Sequence, residues 1–439
     1  MRRPTILAPV LAVILLATTA LTASPVSALS DRASIALGTR YLLRANLSFA
    51  AGTISAKERI VIKNKSGGPI SKVNLSVTPR AFGELTSIGG FSVDGRTVTA
   101  RWTNNSNLEL QLGRDLAVGS TAVIRLRFAV RASGVIGTSL EGRLSKANGI
   151  MQVGHWFPIV SDGHATRYPG DAQHTRAASK IRLELTTDSS AVRIAAPGTP
   201  VYSSGRYHVY ELTNARDFAF GASPNYQVAT GIAAGVHIRA YYTTGSGATA
   251  VASAMAALTR YEAVYGQFGW TRFVIAQTGR PGSGNEYPGL IFLGGRLLGI
   301  REVVAHETAH QWWYGMAGND QMREPWLDEA LAEFSASHFF GQLESFASAR
   351  PVNSRVHDFP NVPAPLTSDD PGSYDQTVYF KGAAFLETLR AEMGSEAFFA
   401  GLRDLFEANR NGTITTREFI RTMTDHGAAT TTMRAFLSF

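Results

Sequence analysis

The chain has no cysteine in 439 residues. Disulfides are therefore impossible, no lipid-modified cysteine can anchor the chain, and any bound metal must be held by nitrogen and oxygen. That donor set suits zinc. Charged residues make up only 17% of the sequence and hydrophobic ones 44%, with no block of like charge and no low-complexity tract. This is a foldable globular composition. The net charge is +8, yet basic clusters interleaved with aromatics are absent, which argues against nucleic acid as a partner. Mild attraction to an anionic cell surface is what the charge leaves open. After the first segment no apolar run is long enough to cross a bilayer, so no stable membrane insertion is expected once that segment is gone.

That first segment reads as a secretory signal peptide over residues 1–28. Arg2 and Arg3 supply the positive end, an apolar run follows from Ile6 to Leu21, and Val26-Ser27-Ala28 offers a cleavage site. Leu21-Thr22-Ala23 is a second candidate, and an uncleaved anchor is the alternative. The expected destination is secreted or associated with the cell surface. Cleavage would take Arg2 and Arg3 with it and lower the net charge from +8 to +6.

At this length two or three domains are expected. Residues 29–227 alternate short apolar runs with turn residues. Lys57–Ile62, Ser71–Val77, Thr97–Trp102, Thr121–Val130 and Lys180–Leu185 carry the period-two pattern of strands. An N-terminal antiparallel β domain is expected there. From residue 228 onward the pattern is mixed, giving an α+β multidomain chain. Val236–Thr243 and Phe273–Gln277 read as strands, Glu286–Leu293 as an extended segment, and Ala248–Tyr265 and Arg301–Tyr314 as helices. Pro325 opens a further helix to about Phe340, and everything after Val378 is helical in pattern.

His306-Glu307-Thr308-Ala309-His310 falls within the Arg301–Tyr314 helix. Residues four apart lie only about 40° apart around a helix axis, so both imidazoles share a face. Glu307 leans beside that face, where it can act as a base without being a ligand. Downstream, Glu324-Pro325-Trp326-Leu327-Asp328-Glu329-Ala330 opens the next helix and brings in Glu329. Two histidines and one carboxylate leave a fourth tetrahedral position open, which is the catalytic and not the structural arrangement. One zinc per chain is expected. Glu333, one turn beyond Glu329, can orient one of the histidines through its other ring nitrogen, or be an ordinary solvated glutamate.

The stretch HETAHQWWYGMAGNDQMREPWLDEALAEFSA, His306 to Ala336, resembles the M1 aminopeptidases of the gluzincin clan in their shorter bacterial form. The resemblance extends over about Val228–Phe439, and over His155-Trp156-Phe157-Pro158 in the β region. It implies a thermolysin-like zinc peptidase domain over residues 228–439, ending in helices, and peptides as substrates. The family binds the substrate's free α-amine with a glutamate in a Gly-x-Met-Glu-Asn segment; the counterpart here is Ser283-Gly284-Asn285-Glu286-Tyr287, with Glu286 in that role. Tyr379-Phe380-Lys381-Gly382 matches the family's oxyanion-stabilising tyrosine, and Tyr374 a second tyrosine near it. By the same resemblance Gln152 or His155 borders the substrate. Larger members carry a long C-terminal helical domain over the active site, which this sequence does not match.

The chemistry implied is peptide hydrolysis, with Glu307 as base, Tyr379 as oxyanion donor and Glu286 as amine anchor. Two other readings stand beside the aminopeptidase: an endopeptidase on the same scaffold, and a secreted binding protein of the same fold without turnover. Glu407–Glu418 partly mimics a calcium loop, but Arg410 and Arg417 within it favour a helix–turn–helix corner. His164, His174 and His208 show no ligand spacing.

Overall fold

The computed structural model describes residues 34–133, 143–166, 174–280, 284–295, 297, 300–342 and 375–437. The expected signal segment and Tyr374 lie outside these.

The N-terminal half is built from three sheets. The largest has eight strands: β1 (Leu37–Ser48), β2 (Thr53–Asn64), β3 (Leu85–Val93), β4 (Arg96–Thr97), β5 (Thr121–Arg131), β6 (Lys180–Thr187), β7 (Thr199–Ser204) and β8 (Tyr207–Leu212). Their order across the sheet is β7-β8-β6-β1-β2-β5-β3-β4. Alternate residues of β1, β2 and β5 are buried, which is the period-two pattern of a sheet covered on one face. Two four-stranded sheets complete this half. Two expectations need correction. The sheet is not wholly antiparallel, because β1 and β6 pair in parallel. Between them the chain runs through β2 to β5 and through strands of both smaller sheets before β6 returns on the same heading. The run Thr97–Trp102 is also not one strand: it splits into β4 and Ala100–Trp102, which belong to different sheets.

The second half opens with β9 (Gln227–Ala233), β10 (Val236–Tyr242), helix α1 (Gly247–Tyr265) and β11 (Arg272–Gln277). Ser246 caps α1 by accepting from the Thr249 N–H. The segment expected to be continuously extended is a hairpin, β12 (Gly284–Tyr287) and β13 (Leu290–Leu293). Pro288-Gly289 makes the turn, with Gly289 at φ +71°, a conformation glycine adopts at no steric cost. The five-stranded order β9-β10-β11-β13-β12 leaves β12 at the edge.

Helices α2 (Arg301–Ala309), α3 (Trp326–Phe340), α4 (Gly382–Met393), α5 (Ser395–Asn409), α6 (Thr416–Asp425) and α7 (Thr430–Phe436) follow. Helix α3 is buried nearly all round, from Trp326 through Ser337, as a helix in the middle of a bundle must be. The Glu407–Glu418 segment is a corner, as expected: Thr415 and Glu418 close a capping box on α6, and Arg410 pairs with Glu407. Buried Arg216 ties the halves together by donating to the Thr175, Gly315 and Gly412 carbonyls. Among the described residues, no helix is long and apolar enough to cross a membrane.

One residue inside the large sheet runs against the pattern. Glu58 faces the core between Leu43 and Leu126 at 2% exposure, and neither carboxyl oxygen has a hydrogen-bond partner. Burial pushes its pKa well above the usual carboxylate range. A carboxyl whose folded pKa exceeds its unfolded value favours folding at low pH and loses that contribution as pH rises through the folded value. Glu58→Met should therefore raise stability by ~1–3 kcal/mol at alkaline pH, and by less near pH 5. Thermal unfolding at the two pH values measures this; a lower Tm for the variant at both would contradict it.

Candidate metal centre

Helix α2 and the first turn of α3 cross so that three donor atoms converge. His306 Nε2 lies 3.3 Å from Glu329 Oε2, His310 Nε2 lies 3.2 Å from the same oxygen, and the two Nε2 atoms are 3.1 Å apart. Zinc bonds of about 2.0–2.1 Å in tetrahedral geometry require ligand atoms about 3.3 Å apart. The triangle fits that ion. Each ring also has a partner that selects the right tautomer once a metal takes Nε2. His306 Nδ1 is 3.0 Å from Glu333 Oε2 and His310 Nδ1 is 3.2 Å from the Trp313 carbonyl. An Nδ1–H donated to each of these leaves both Nε2 lone pairs for a metal. Glu333 thus sits where it can orient His306, as one of its two readings anticipated.

The helix expected over Arg301–Tyr314 stops at Ala309, and His310 is its C-cap. Beyond it the hydrogen bonds widen, with the N–H groups of Gly315, Met316 and Ala317 reaching the carbonyls of His310, Gln311 and Trp312. Tyr314 sits at φ +128° in this turn. The local sequence hides the stop, because Trp312 and Trp313 continue an apolar helical pattern. Their burial is met by the turn instead.

Glu307 projects beside the triangle. Its side chain rests over Gly284 of β12, where a Cβ would stand only 2.2 Å from Glu307 Oε1. Its Oε2 is buried without a partner. Burial lifts its pKa to about 7, against the opposing pull of His306. A bound cation would draw it back down. The carboxylates of Glu286 and Glu307 and the ring of His310 bring donor atoms within 4.8 Å of one another.

Residues that sequence reasoning missed hold this arrangement. Gln311 accepts from the Gly289 N–H at 2.8 Å and donates to the Tyr287 carbonyl at 3.2 Å, clamping the β12–β13 turn onto the metal helix. Gln321 donates to Glu286 Oε1 at 3.2 Å and to Asp328 Oδ2 at 2.9 Å. Asn319 donates to Asp328 Oδ1 at 2.8 Å. Burial raises the Asp328 pKa to about 8, with Glu329 adding to the rise. Buried glutamines carry no periodicity; only the polar run Asn319-Asp320-Gln321 before Pro325 hinted at them.

Tyr379 lies in a π-helical turn, Asp375–Lys381, its ring stacked on His306 at 5.8 Å between centroids and 13° between planes. Such turns often sit at functional sites. Gln152 reaches β12 through Asn285, at 3.2 Å. His155 instead is buried against Asp217, 2.6 Å away. The absence of ligand spacing around His174 proves misleading: the fold brings it beside Asp162 and Asp320, donor atoms within 4.8 Å. Arg323 stands 3.3 Å from Asp320 and supplies positive charge there.

Residues 296–438 match the peptidase family M1 domain. Human endoplasmic reticulum aminopeptidase 1 is 30% identical over 125 residues, which are 24% of this chain and 12% of that protein. A leucyl aminopeptidase of Saccharolobus solfataricus is 27% identical over 124 residues, covering 24% and 15%. The chain thus spans about an eighth to a seventh of the length of the curated relatives it matches. In three dimensions it resembles an M1 zinc metallopeptidase from Deinococcus radiodurans, with a TM-score of 0.70 at 17% identity, covering 93% of this chain and 97% of that one. A variant of that enzyme has been solved with a Tyr-Ser-Ala substrate, with the same TM-score and identity.

In the metal-free protein, burial lowers the pKa of His306, but hydrogen bonds to Glu329 and Glu333 outweigh it and lift the ring to about 10. Burial and Glu329 act likewise on His310, whose pKa is also raised. His306 is then charged at neutral pH, and zinc must displace its proton. Zinc affinity, measured by chelator competition and corrected for the chelator's own titration, should rise by at least about tenfold between about pH 6.5 and pH 8.5. Affinity independent of pH would contradict this.

Proposed function

We propose that this chain, whose residues 296–438 match the peptidase family M1 domain, is an exported zinc aminopeptidase that releases N-terminal residues from peptides. The observation that carries the reading is the placement of Glu286. It stands on the edge strand, with its carboxylate within 4.8 Å of the base Glu307 and of His310. A fixed carboxylate there can accept from a substrate ammonium, and so places the first peptide bond, and no later one, at the reacting centre. The location follows from the reading of residues 1–28 as an export signal.

His306, His310 and Glu329 would hold the metal. A bound zinc supplies Lewis acidity to the scissile carbonyl and to the attacking water. Glu307 takes a proton from that water at its free Oε2 and passes it to the leaving amine. Tyr379, beside His306, donates its O–H to the carbonyl oxygen as negative charge builds. Gln321, itself fixed by Asp328, keeps the Glu286 carboxylate turned toward the substrate's amine. The free edge of β12 offers backbone groups to an extended peptide.

Glu286→Ala removes one partner of a desolvated charge pair, a loss of ~2–5 kcal/mol. For free-amine substrates kcat/KM should therefore fall by a factor of about 30 to several thousand. The wild-type enzyme should leave N-acetylated peptides intact, and Glu307→Ala should abolish turnover of every substrate while keeping zinc. Cleavage of an acetylated peptide at an internal bond, unchanged in Glu286→Ala, would make the enzyme an endopeptidase. Full activity of Glu307→Ala would overturn the mechanism itself.

A further inference from the structure

The solvent face of the eight-stranded sheet concentrates positive charge in register. Arg44, Lys57 and Arg127 stand opposite one another on β1, β2 and β5, and in the next outward row Arg59 faces Arg125. Like charges directly opposite on adjacent strands repel and destabilise the sheet. Acidic neighbours relieve only part of this. Glu184 pairs with Arg44 and Arg182, and Glu211 with Lys180 and Arg182. Among the described residues, no ion pair involves Lys57, Arg59, Arg125 or Arg127.

These cations are not spread over a flat surface. Arg44, Lys57 and Arg127 line a trough of about 720 Å³ over the strands, with Glu184 and Tyr207 also on its wall, and Arg59 and Arg125 form the next row beside it. A second hollow of about 480 Å³ shares Asn46, Ser55, Ala129 and Thr186 with the first and carries it on to Arg131, Asp188 and Arg206. Nearest cross-strand neighbours stand about 5 Å apart. The trough therefore offers a row of closely set cations, Arg44, Lys57 and Arg127, closed at its β6 end by Glu184, the partner of Arg44.

We propose that this trough binds a linear phosphodiester polymer of the cell envelope. Arginine's planar fork matches phosphate oxygens, and Arg127 in the trough and Arg59 and Arg125 in the row beside it carry no ion pair among the described residues. A concave trough receives a single chain, whereas a planar bilayer would touch only its rims. Exposed Tyr207 presents a ring against which the polymer's sugar or polyol carbons can lie. The choice of an envelope polymer over a nucleic acid rests on the exported reading of the chain. The trough would then hold the peptidase at the cell surface without using any residue of the metal centre.

The test is the binding of purified poly(glycerol phosphate) to the full chain, followed by fluorescence anisotropy, with peptidase activity measured in parallel. Four phosphate contacts predict a loss of affinity of roughly 50-fold between about 50 mM and about 200 mM salt. The combined variant Lys57→Gln, Arg59→Gln, Arg125→Gln and Arg127→Gln should bind at least about tenfold more weakly with unchanged kcat/KM. A second variant, Arg59→Lys, Arg125→Lys and Arg127→Lys, keeps the charge and should keep most of the binding, which guards against a folding defect in the first. No binding by wild type at low salt would overturn the proposal, as would equal binding by the glutamine variant. Tighter binding to phosphatidylglycerol vesicles, or to a DNA oligonucleotide of equal phosphate count, would overturn it too. Peptidase activity reads the metal centre separately, so failure of one reading does not mask the other.

Discussion

Everything in the second half is arranged around one crowded contact, the approach of the Glu329 carboxylate to two imidazole nitrogens at 3.2–3.3 Å. Holding three donors that close is unfavourable unless the backbone carrying them is rigid and a cation sits between them. The surrounding structure supplies the rigidity. Trp326 buries the start of α3 and donates to Thr416 of α6, Tyr261 of α1 donates to the Ala305 carbonyl of α2, and Arg216 fastens the turn after His310 to the α5–α6 corner. The same convergence draws the Glu329 pKa well down despite its burial, through His310 and His306.

The second constraint is that Glu307 must stay near this triangle without joining it. Its distance is set from the other side, by β12. Gly284 lacks the Cβ that would collide with the glutamate, and Gln311 pins the hairpin turn to the metal helix. Glu286 therefore arrives at a fixed offset from the same histidines. Three carboxylates gather around the two histidines, and their environments separate them. Glu329 is held ionised by two imidazoles, Glu307 is lifted toward neutrality by burial, and Glu286 is hydrogen-bonded by Gln321 at the open edge.

What was legible in the sequence was whatever a short period can encode. The four-residue spacing of His306 and His310 fixed their common face, and Pro325 marked where Glu329 would begin a helix. Three strands of the large sheet, β2, β5 and β6, announced themselves by alternation. Features that depend on which segments meet were not legible. The parallel pairing of β1 with β6 is a property of the chain's path, and so is the stacking of Arg44, Lys57 and Arg127 across three strands. Gln311, Gln321 and Asp328 form a network whose members look like ordinary helix and loop residues until the hairpin is folded against them. The end of α2 at Ala309 was hidden because the tryptophans after it keep the apolar rhythm of a helix while packing as a turn.

The central claim is that His306, His310 and Glu329, and no other cluster, hold a zinc ion. Anomalous diffraction at the zinc absorption edge, from crystals grown with the metal, tests it most directly. The expected result is one strong peak per chain, about 2.0–2.2 Å from both Nε2 atoms and from the Glu329 carboxylate, with Glu307 outside bonding distance. A dominant peak between Asp162, His174 and Asp320, or a zinc bonded to Glu307, would contradict it.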